Sequence, residues 1–159
     1  MGTFVPSLAT NLGSTNPQIR QLCQAGLDLL LSSLETPAAA FTRELQTALI
    51  QPFAQVAQFE NVKIRPLMID KLITVISSCA DACDSVGHPP LISTFKSAIP
   101  VAYSLCEETR VELRTPLLKC AQVLYAIIGQ QLWDEKICMQ FHISNQQVAK
   151  LKQQMAIQQ

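Results

Sequence analysis

The sequence of 159 residues is long enough for one domain with a substantial hydrophobic core. Apolar residues make up 48% of it, only 15% are charged, and 12 basic residues balance 12 acidic ones, which excludes a disordered tail and a strongly basic nucleic-acid-binding protein. No run approaches the roughly 20 apolar residues that span a bilayer. The first residues also lack the basic and apolar regions of a signal peptide. We therefore expect a cytoplasmic protein that binds neither membranes nor nucleic acids.

Helical patterns of apolar residues follow one another along the chain, and strand-like alternation is nearly absent. A short helix is expected from about residue 3. A longer one should follow Asn16, which would cap it, with Pro17 in its first turn. The apolar stripe of this second helix predicts which face is buried. Its members are Ile19, Leu22, Cys23, Leu27, Leu30, Leu31 and Leu34.

Two further helix pairs are predicted downstream. The next helices are expected at residues 37–58, with a kink at Pro52, and at residues 62–84. A loop should follow at residues 85–90, where a glycine precedes two prolines. The third pair is expected at residues 91–106, kinked at Pro100, and at residues 111–129. Ser144 and Gln147 have the spacing of a capping box, which predicts a final helix to about residue 157.

Three marks recur in the same order along the chain: a proline, an acidic or small polar residue, and an aliphatic residue followed by arginine. The copies are Pro6, Ser14 and Ile19-Arg20; Pro52, Glu60 and Ile64-Arg65; Pro100, Glu108 and Leu113-Arg114. A period of roughly 40–50 residues with two helices per unit is typical of stacked helical repeats. We predict an all-α fold, an α-solenoid of about three helix pairs at residues 3–35, 36–84 and 91–129. Residues 130–159 would form a capping region with a C-terminal helix.

This pattern resembles the HEAT repeat, which has a proline in its first helix, an aspartate in the turn, and a Val-Arg pair opening its second helix. The stretch from Asn11 to Arg20 is similar to a turn of a TOG domain, the tubulin-binding module of microtubule regulators. The chain has about half the repeats of a TOG domain. The resemblance therefore implies a half-size TOG-like array or a fragment of a longer one.

The resemblance also implies where a partner binds. In TOG domains the tubulin-facing residues lie in the turns within the repeats, which here are residues 13–18, 60–63 and 107–112. Asn16, Lys63 and Arg110 are the exposed candidates there. They imply a module that binds tubulin or a microtubule-associated partner in the cytoplasm, at the cytoskeleton or in a cilium.

The charge of the third turn keeps an alternative open. This turn is net acidic, whereas a surface that faces acidic tubulin gains affinity from positive charge. The alternative is a HEAT-repeat scaffold that binds a non-tubulin protein or peptide along its helical faces. We interpret Arg20, Arg65 and Arg114 differently, as structural residues, because each could reach the polar residue in the turn before it.

No catalytic or metal site is predicted, and no cofactor. Cys79, Cys83 and His88 offer zinc-binding side chains, but both cysteines lie on an apolar helix face and no fourth ligand follows. The chain has no glycine-rich phosphate loop and no catalytic pair at an interpretable spacing. We therefore expect a protein that is not an enzyme. Reduced thiols are expected for all six cysteines, which are Cys23, Cys79, Cys83, Cys106, Cys120 and Cys138.

Overall fold

The computed structural model describes residues 4–32, 39–58, 61, 63–85, 92–137 and 142–157. Helices dominate this part of the chain and it contains no strand, which confirms the predicted all-α class. A 3-10 helix lies on each side of the short α-helix at Ile99–Tyr103, at Ile92–Ala98 and Ser104–Cys106, and a π-helical turn at Trp133–Ile137 follows the short α-helix at Gln130–Leu132. The α-helices are α1 (Phe4–Asn11), α2 (Pro17–Ser32), α3 (Ala39–Val56), α4 (Arg65–Ser85), α5 (Ile99–Tyr103), α6 (Val111–Ile128), α7 (Gln130–Leu132) and α8 (Asn145–Ile157).

Local sequence signals fix several helix ends. The Gln18 amide donates to Asn16 Oδ1 at 3.0 Å, which confirms the predicted cap of α2. Before α8, the Ser144 amide donates to Gln147 Oε1 at 3.1 Å and the Gln147 amide donates to Ser144 Oγ at 3.3 Å. This reciprocal pair confirms the predicted capping box. At the end of α6, Gly129 has a φ of 87°, a conformation that glycine adopts without steric cost.

The two prolines predicted to kink helices behave differently. Pro52 lies inside α3, which continues through it. The single helix expected at residues 91–106 is wrong, because this segment is divided into a 3-10 helix, the short α5 and a second 3-10 helix. Pro100 has no amide hydrogen for the carbonyl one turn earlier, so the α-helix begins anew with the proline in its first turn. Of the loop predicted at residues 85–90, Ser85 is instead the last residue of α4, and residues 86–90 lie outside the described residues.

The helices of each predicted pair contact each other: α1 with α2, α3 with α4, and α5 with α6. Helices in equivalent positions also contact each other. Among the first helices of the pairs, α1 contacts α3, and α3 contacts the 3-10 helix before α5. Among the second helices of the pairs, α4 contacts both α2 and α6. The terminal α8 packs against α6 and the 3-10 helix at Ser104–Cys106. These contacts enclose a continuous core whose largest buried side chains include Trp133, Phe53, Phe95 and Leu27.

The predicted buried face of α2 is wrong in its outer half. Cys23 and Leu27 are buried as expected, but Leu22 is 72% exposed and Ile19 is 40% exposed. The physical reason is that α2 packs against α1 and α4 on one side, and no described helix covers its opposite side.

None of the helices in the described residues is both long enough and apolar enough to cross a bilayer.

Candidate protein-binding edge

The three turns that precede α2, α4 and α6 lie next to one another along one edge of the protein. The first and second turns line a shared groove, and a hydrogen bond joins Arg65 at the start of α4 to Glu108 in the third turn. Gly13 allows the first two turns to approach closely, because a Cβ atom there would lie 3.2 Å from Ile64 Cδ1. We call this row of turns the turn edge.

The groove between the first two turns has a volume of about 940 Å³. Its described lining carries two cationic side chains, Arg20 and Lys63, and no carboxylate. The remaining polar lining comes from amides and hydroxyls, and the apolar part from leucine and isoleucine. These residues are Ser14, Thr15, Gln21, Gln24, Asn61, Leu12, Ile64 and Leu67. The groove therefore offers positive charge and hydrogen-bond donors beside a small apolar surface.

The predicted contact residues Asn16 and Lys63 are both exposed at this end of the turn edge. The Asn16 side chain also caps α2, so it is held in place by the Gln18 amide. Lys63 follows Asn61, whose Oδ1 atom accepts a hydrogen bond from the Lys63 amide at 3.0 Å. No described carboxylate pairs with the Lys63 ammonium group. Both side chains are thus presented to solvent by turns with fixed backbone geometry.

Arg110, the third predicted contact residue, is exposed but not free. Its Nε atom donates to Glu108 Oε1 at 2.9 Å and its Nη2 atom donates to Glu108 Oε2 at 3.2 Å. Glu108 Oε1 also accepts the amide hydrogens of Thr109 and Arg110, at 3.1 and 3.0 Å. The positive charge of Arg110 is therefore largely compensated within its own turn.

The same carboxylate joins two turns. Glu108 Oε2 accepts a hydrogen bond at 3.4 Å from Arg65 Nη1, and both side chains are about nine-tenths buried. Arg65 Nε also donates to the Ala57 carbonyl at 2.9 Å, at the end of the preceding helix. Each of these bonds involves an ionised group, which makes it stronger than a neutral hydrogen bond. Glu108 thus connects the second and third turns.

All three repeat arginines contact the turns. Arg20 Nη1 donates to the Ser14 carbonyl at 2.8 Å, and Arg114 Nη1 donates to the Glu108 carbonyl at 2.6 Å. In both cases the acceptor is the backbone and not the side chain of the polar residue. Glu60, the expected partner of Arg65, lies outside the described residues. Arg20 additionally lines the groove, a role that its position in the repeat did not indicate.

The hydrogen bonds to Glu108 change its acidity. Side-chain hydrogen bonds from Arg110 are the largest cause of this change, because they lower the pKa of Glu108. They outweigh burial, which raises the pKa. With smaller contributions from the Arg110 amide and the charges of Arg110 and Arg65, they lower the pKa of Glu108 from 4.5 to about 2. The carboxylate therefore stays ionised in the folded protein at pH values where an unfolded chain would bind a proton.

This pKa difference predicts a specific acid sensitivity. Because the folded pKa is depressed, the stabilisation from ionised Glu108 is present above about pH 4.5 and is lost as the pH falls towards 2. Glu108→Gln, which resembles the protonated form, should melt well below the wild type at pH 6. The difference in melting temperature should shrink at pH 3 and nearly vanish near pH 2. Glu107→Gln alters the exposed neighbouring residue and should match the wild type. If the difference in melting temperature between Glu108→Gln and the wild type did not change with pH, ionised Glu108 would not be the source of this stabilisation.

The thiols do not form a reactive or metal-binding centre in the part of the chain that is described. Burial raises the pKa of Cys120 to about 12 and also raises the pKa of Cys106, which disfavours the nucleophilic thiolate. Cys79 of the considered zinc set is buried, whereas the side chain of Cys83 and all of His88 lie outside the described residues. Among described residues, no group of three or more His, Cys, Asp or Glu is placed to hold a metal ion.

Comparisons with known proteins identify no relative. No protein-family model matches the sequence, and neither curated proteins nor solved structures give a significant match. The features of the protein that bear on its function are therefore the helix contacts, the turn edge and the resemblance of the repeat pattern.

Proposed function

We propose that this protein is a non-catalytic binding module similar to part of a TOG domain, which engages tubulin or a microtubule-associated partner through the turn edge. Two features support a HEAT-type solenoid. The helices of each pair contact each other, and helices in equivalent positions contact their counterparts in the next pair. Stacked repeats make contacts of this kind because each unit contacts only its neighbours.

The groove between the first two turns is the observation that carries this proposal. It presents Arg20 and Lys63 without a described carboxylate, so it suits an acidic protein surface. The helix N-termini that follow both turns add partial positive charge at the same edge, from the first turns of α2 and α4. Such a surface increases the association rate with an acidic partner, and tubulin is a partner of this kind.

The ion pairs restrict this binding surface to part of the turn edge. Arg110 is held by Glu108, and Glu107 and Glu112 are exposed near it. The third turn therefore has little positive charge to offer. We accordingly assign partner binding mainly to the first two turns, with Asn16 and Lys63 as contact residues and Arg20 as an additional one.

Charge reversal tests this assignment. Lys63→Glu should weaken binding to soluble tubulin about 5- to 20-fold at low salt, because it replaces attraction by repulsion at the groove. The effect should decrease at physiological ionic strength, where exposed charges are screened over about 8 Å. Gel filtration and microtubule co-sedimentation at two salt concentrations provide the measurement. Lys96→Glu is the matched control, because Lys96 is an exposed lysine in the 3-10 helix at Ile92–Ala98 and does not line the groove.

A second candidate is a HEAT scaffold that binds a different protein along its helical faces. The compensated charge of Arg110 and the acidic residues around it favour this function over tubulin binding. If the wild-type protein shows no association with tubulin or microtubules at micromolar concentrations and low salt, the tubulin proposal is wrong. Equal losses for Lys63→Glu and Lys96→Glu would contradict the assignment to the groove.

A further inference from the structure

The groove between the first two turns continues along the helices α2 and α4. Its lining on the α2 side includes Arg20 and Gln24, and its lining on the α4 side includes Lys63, Ile64 and Leu67. Gln24 lies four residues after Arg20 and is therefore about 6 Å further along α2. Leu67 likewise lies four residues after Lys63, which precedes α4. The groove thus has a cationic end at the turns and an uncharged end about one helical turn further along.

The side-chain amides of the groove have hydrogen-bonding atoms that no described group uses. Asn61 accepts a bond from the Lys63 amide through Oδ1, but no described atom accepts a bond from Asn61 Nδ2. Gln24 donates to Asp28 Oδ1 at 2.9 Å through Nε2, so its Oε1 atom remains an acceptor. Gln21 also lines the groove, and its amide makes no hydrogen bond with described groups. Because such amides both donate and accept, they match the peptide bonds of an extended chain.

The cationic end keeps donors available for a carboxylate. Arg20 uses Nη1 for the Ser14 carbonyl, at 2.8 Å, and no described acceptor binds its Nε or Nη2 atoms. The Lys63 ammonium group has no described carboxylate partner. Asp28, the acidic residue of α2, does not line the groove, and Lys71 balances its charge at 2.9 Å. A carboxylate that enters this end therefore meets two cations and no described anion.

The uncharged end favours a peptide over a nucleic acid. Its apolar lining includes Leu67, which is 37% exposed, beside the mostly buried Ile64. A nucleic acid would need more than two cations for its phosphates and aromatic side chains for its bases, and the described lining has no aromatic residue. A peptide with a carboxylate and an apolar side chain uses both ends of the groove.

From these groups we propose that the groove binds an extended acidic peptide segment of a partner protein. Its carboxylate lies at Arg20 and Lys63, and an apolar side chain packs on Ile64 and Leu67. In an extended chain, residues two positions apart point to the same side and lie about 7 Å apart, which matches the offset between the two ends of the groove. The recognised pattern is therefore an acidic residue and a leucine-like residue separated by one position. The inference rests on the proposed assignment of partner binding to this groove.

Two peptides of equal composition test the pattern by fluorescence polarisation. Fluorescein-labelled Ser-Glu-Ser-Glu-Ala-Leu-Ser has leucine on the same side as both glutamates and should bind at low salt with a Kd of about 100 µM. Ser-Glu-Ser-Glu-Leu-Ala-Ser has leucine on the opposite side and should bind at least about fivefold more weakly. Equal affinity of the two peptides, or no binding at about 1 mM, would overturn the proposal. Equally tight binding of an oligothymidylate with the same net charge would also overturn it.

Variants of the protein test each end of the groove separately. Lys63→Glu should weaken binding of the first peptide at least about fivefold, but not of its version with glutamine in place of both glutamates. Leu67→Gln should remove the difference between the two leucine-containing peptides. Val111→Gln is the matched control, because Val111 is 73% exposed and does not line the groove. If Leu67→Gln preserved the preference, the leucine would bind elsewhere and the proposal would be wrong.

Competition with tubulin separates this inference from the proposed function. If the wild type binds tubulin but neither binds the first peptide nor releases tubulin in its presence, the peptide inference is wrong and the proposed function stands. If the peptides bind with the expected preference and tubulin does not associate, the peptide inference is supported and the tubulin proposal is wrong. Release of bound tubulin by the first peptide, and less by the second, would support both.

Discussion

Arg65→Ala should lower the free energy of unfolding by about 2–4 kcal/mol, a large loss for a single charged residue. Its guanidinium group is buried and donates to both the Ala57 carbonyl and the Glu108 carboxylate. Removing it leaves a carbonyl without this donor and deprives a mostly buried carboxylate of one of its two arginines. Urea unfolding followed by far-ultraviolet circular dichroism provides the measurement.

Two neighbouring substitutions control for this prediction. Lys63→Ala removes an exposed cation two residues earlier and should change the free energy of unfolding by less than about 0.5 kcal/mol. Arg114→Ala loses a partly buried hydrogen bond to the Glu108 carbonyl, so about 1–2 kcal/mol is expected. If Lys63→Ala destabilised the protein as much as Arg65→Ala, the structural interpretation of the repeat arginine would be wrong.

Trp133→Ala should cost about 3–5 kcal/mol, the range seen when a large buried aromatic side chain is truncated. Trp133 is fully buried in the π-helical turn, and its Nε1 atom donates to the Tyr103 hydroxyl at 2.9 Å. Its ring stacks with Tyr103 and lies tilted against Tyr125, with centroids 5.8 and 5.4 Å away. Trp133 therefore packs the segment that follows α6 against both α5 and α6.

Circular dichroism is again the suitable measurement, because the variant lacks the protein's one tryptophan. Trp133→Phe keeps part of the ring packing but loses the hydrogen bond to Tyr103, so its loss should be intermediate. Val111→Ala truncates an exposed apolar side chain and should have an effect of less than about 0.5 kcal/mol. A Trp133→Ala variant as stable as Val111→Ala would show that this aromatic cluster contributes little.

Local features of the fold could be predicted from the sequence because they depend on neighbouring residues. The caps formed by Asn16 and by Ser144 with Gln147 are examples, as is the all-α class. The division of residues 92–106 into three short helices was not predicted, although Pro100 gave a signal for a break. The exposed side of α2 could not be predicted either. Periodicity identifies the apolar residues of a helix but not which neighbouring helix is present to cover them.

The turn edge illustrates a similar limit. The repeat placed Asn16, Lys63 and Arg110 in turns, and the structure finds all three exposed. The pairing of Arg110 with Glu108 joins residues only two positions apart, but it was not predicted, because the sequence analysis used the acidic residues of this turn only as an argument about its net charge. The bond from Arg65 to Glu108 joins residues 43 positions apart, and the groove brings Arg20 close to the second turn. Such contacts depend on how the helix pairs pack against one another, which residue spacing alone does not specify.

The helices α2 and α6 differ in how many side chains they bury, and this difference affects how easily each unfolds locally. Within α2 only Cys23 and Leu27 are buried, whereas seven side chains of α6 are buried. Little apolar contact is lost when α2 separates from its neighbours, so partial opening at this end requires much less free energy than opening around α6. The amide hydrogens of α2 should accordingly exchange with solvent faster than those of α6, and covering the outer face of α2 should slow this exchange. We therefore expect local stability to be lower at α2 than at α4 and α6, which are held by many buried side chains.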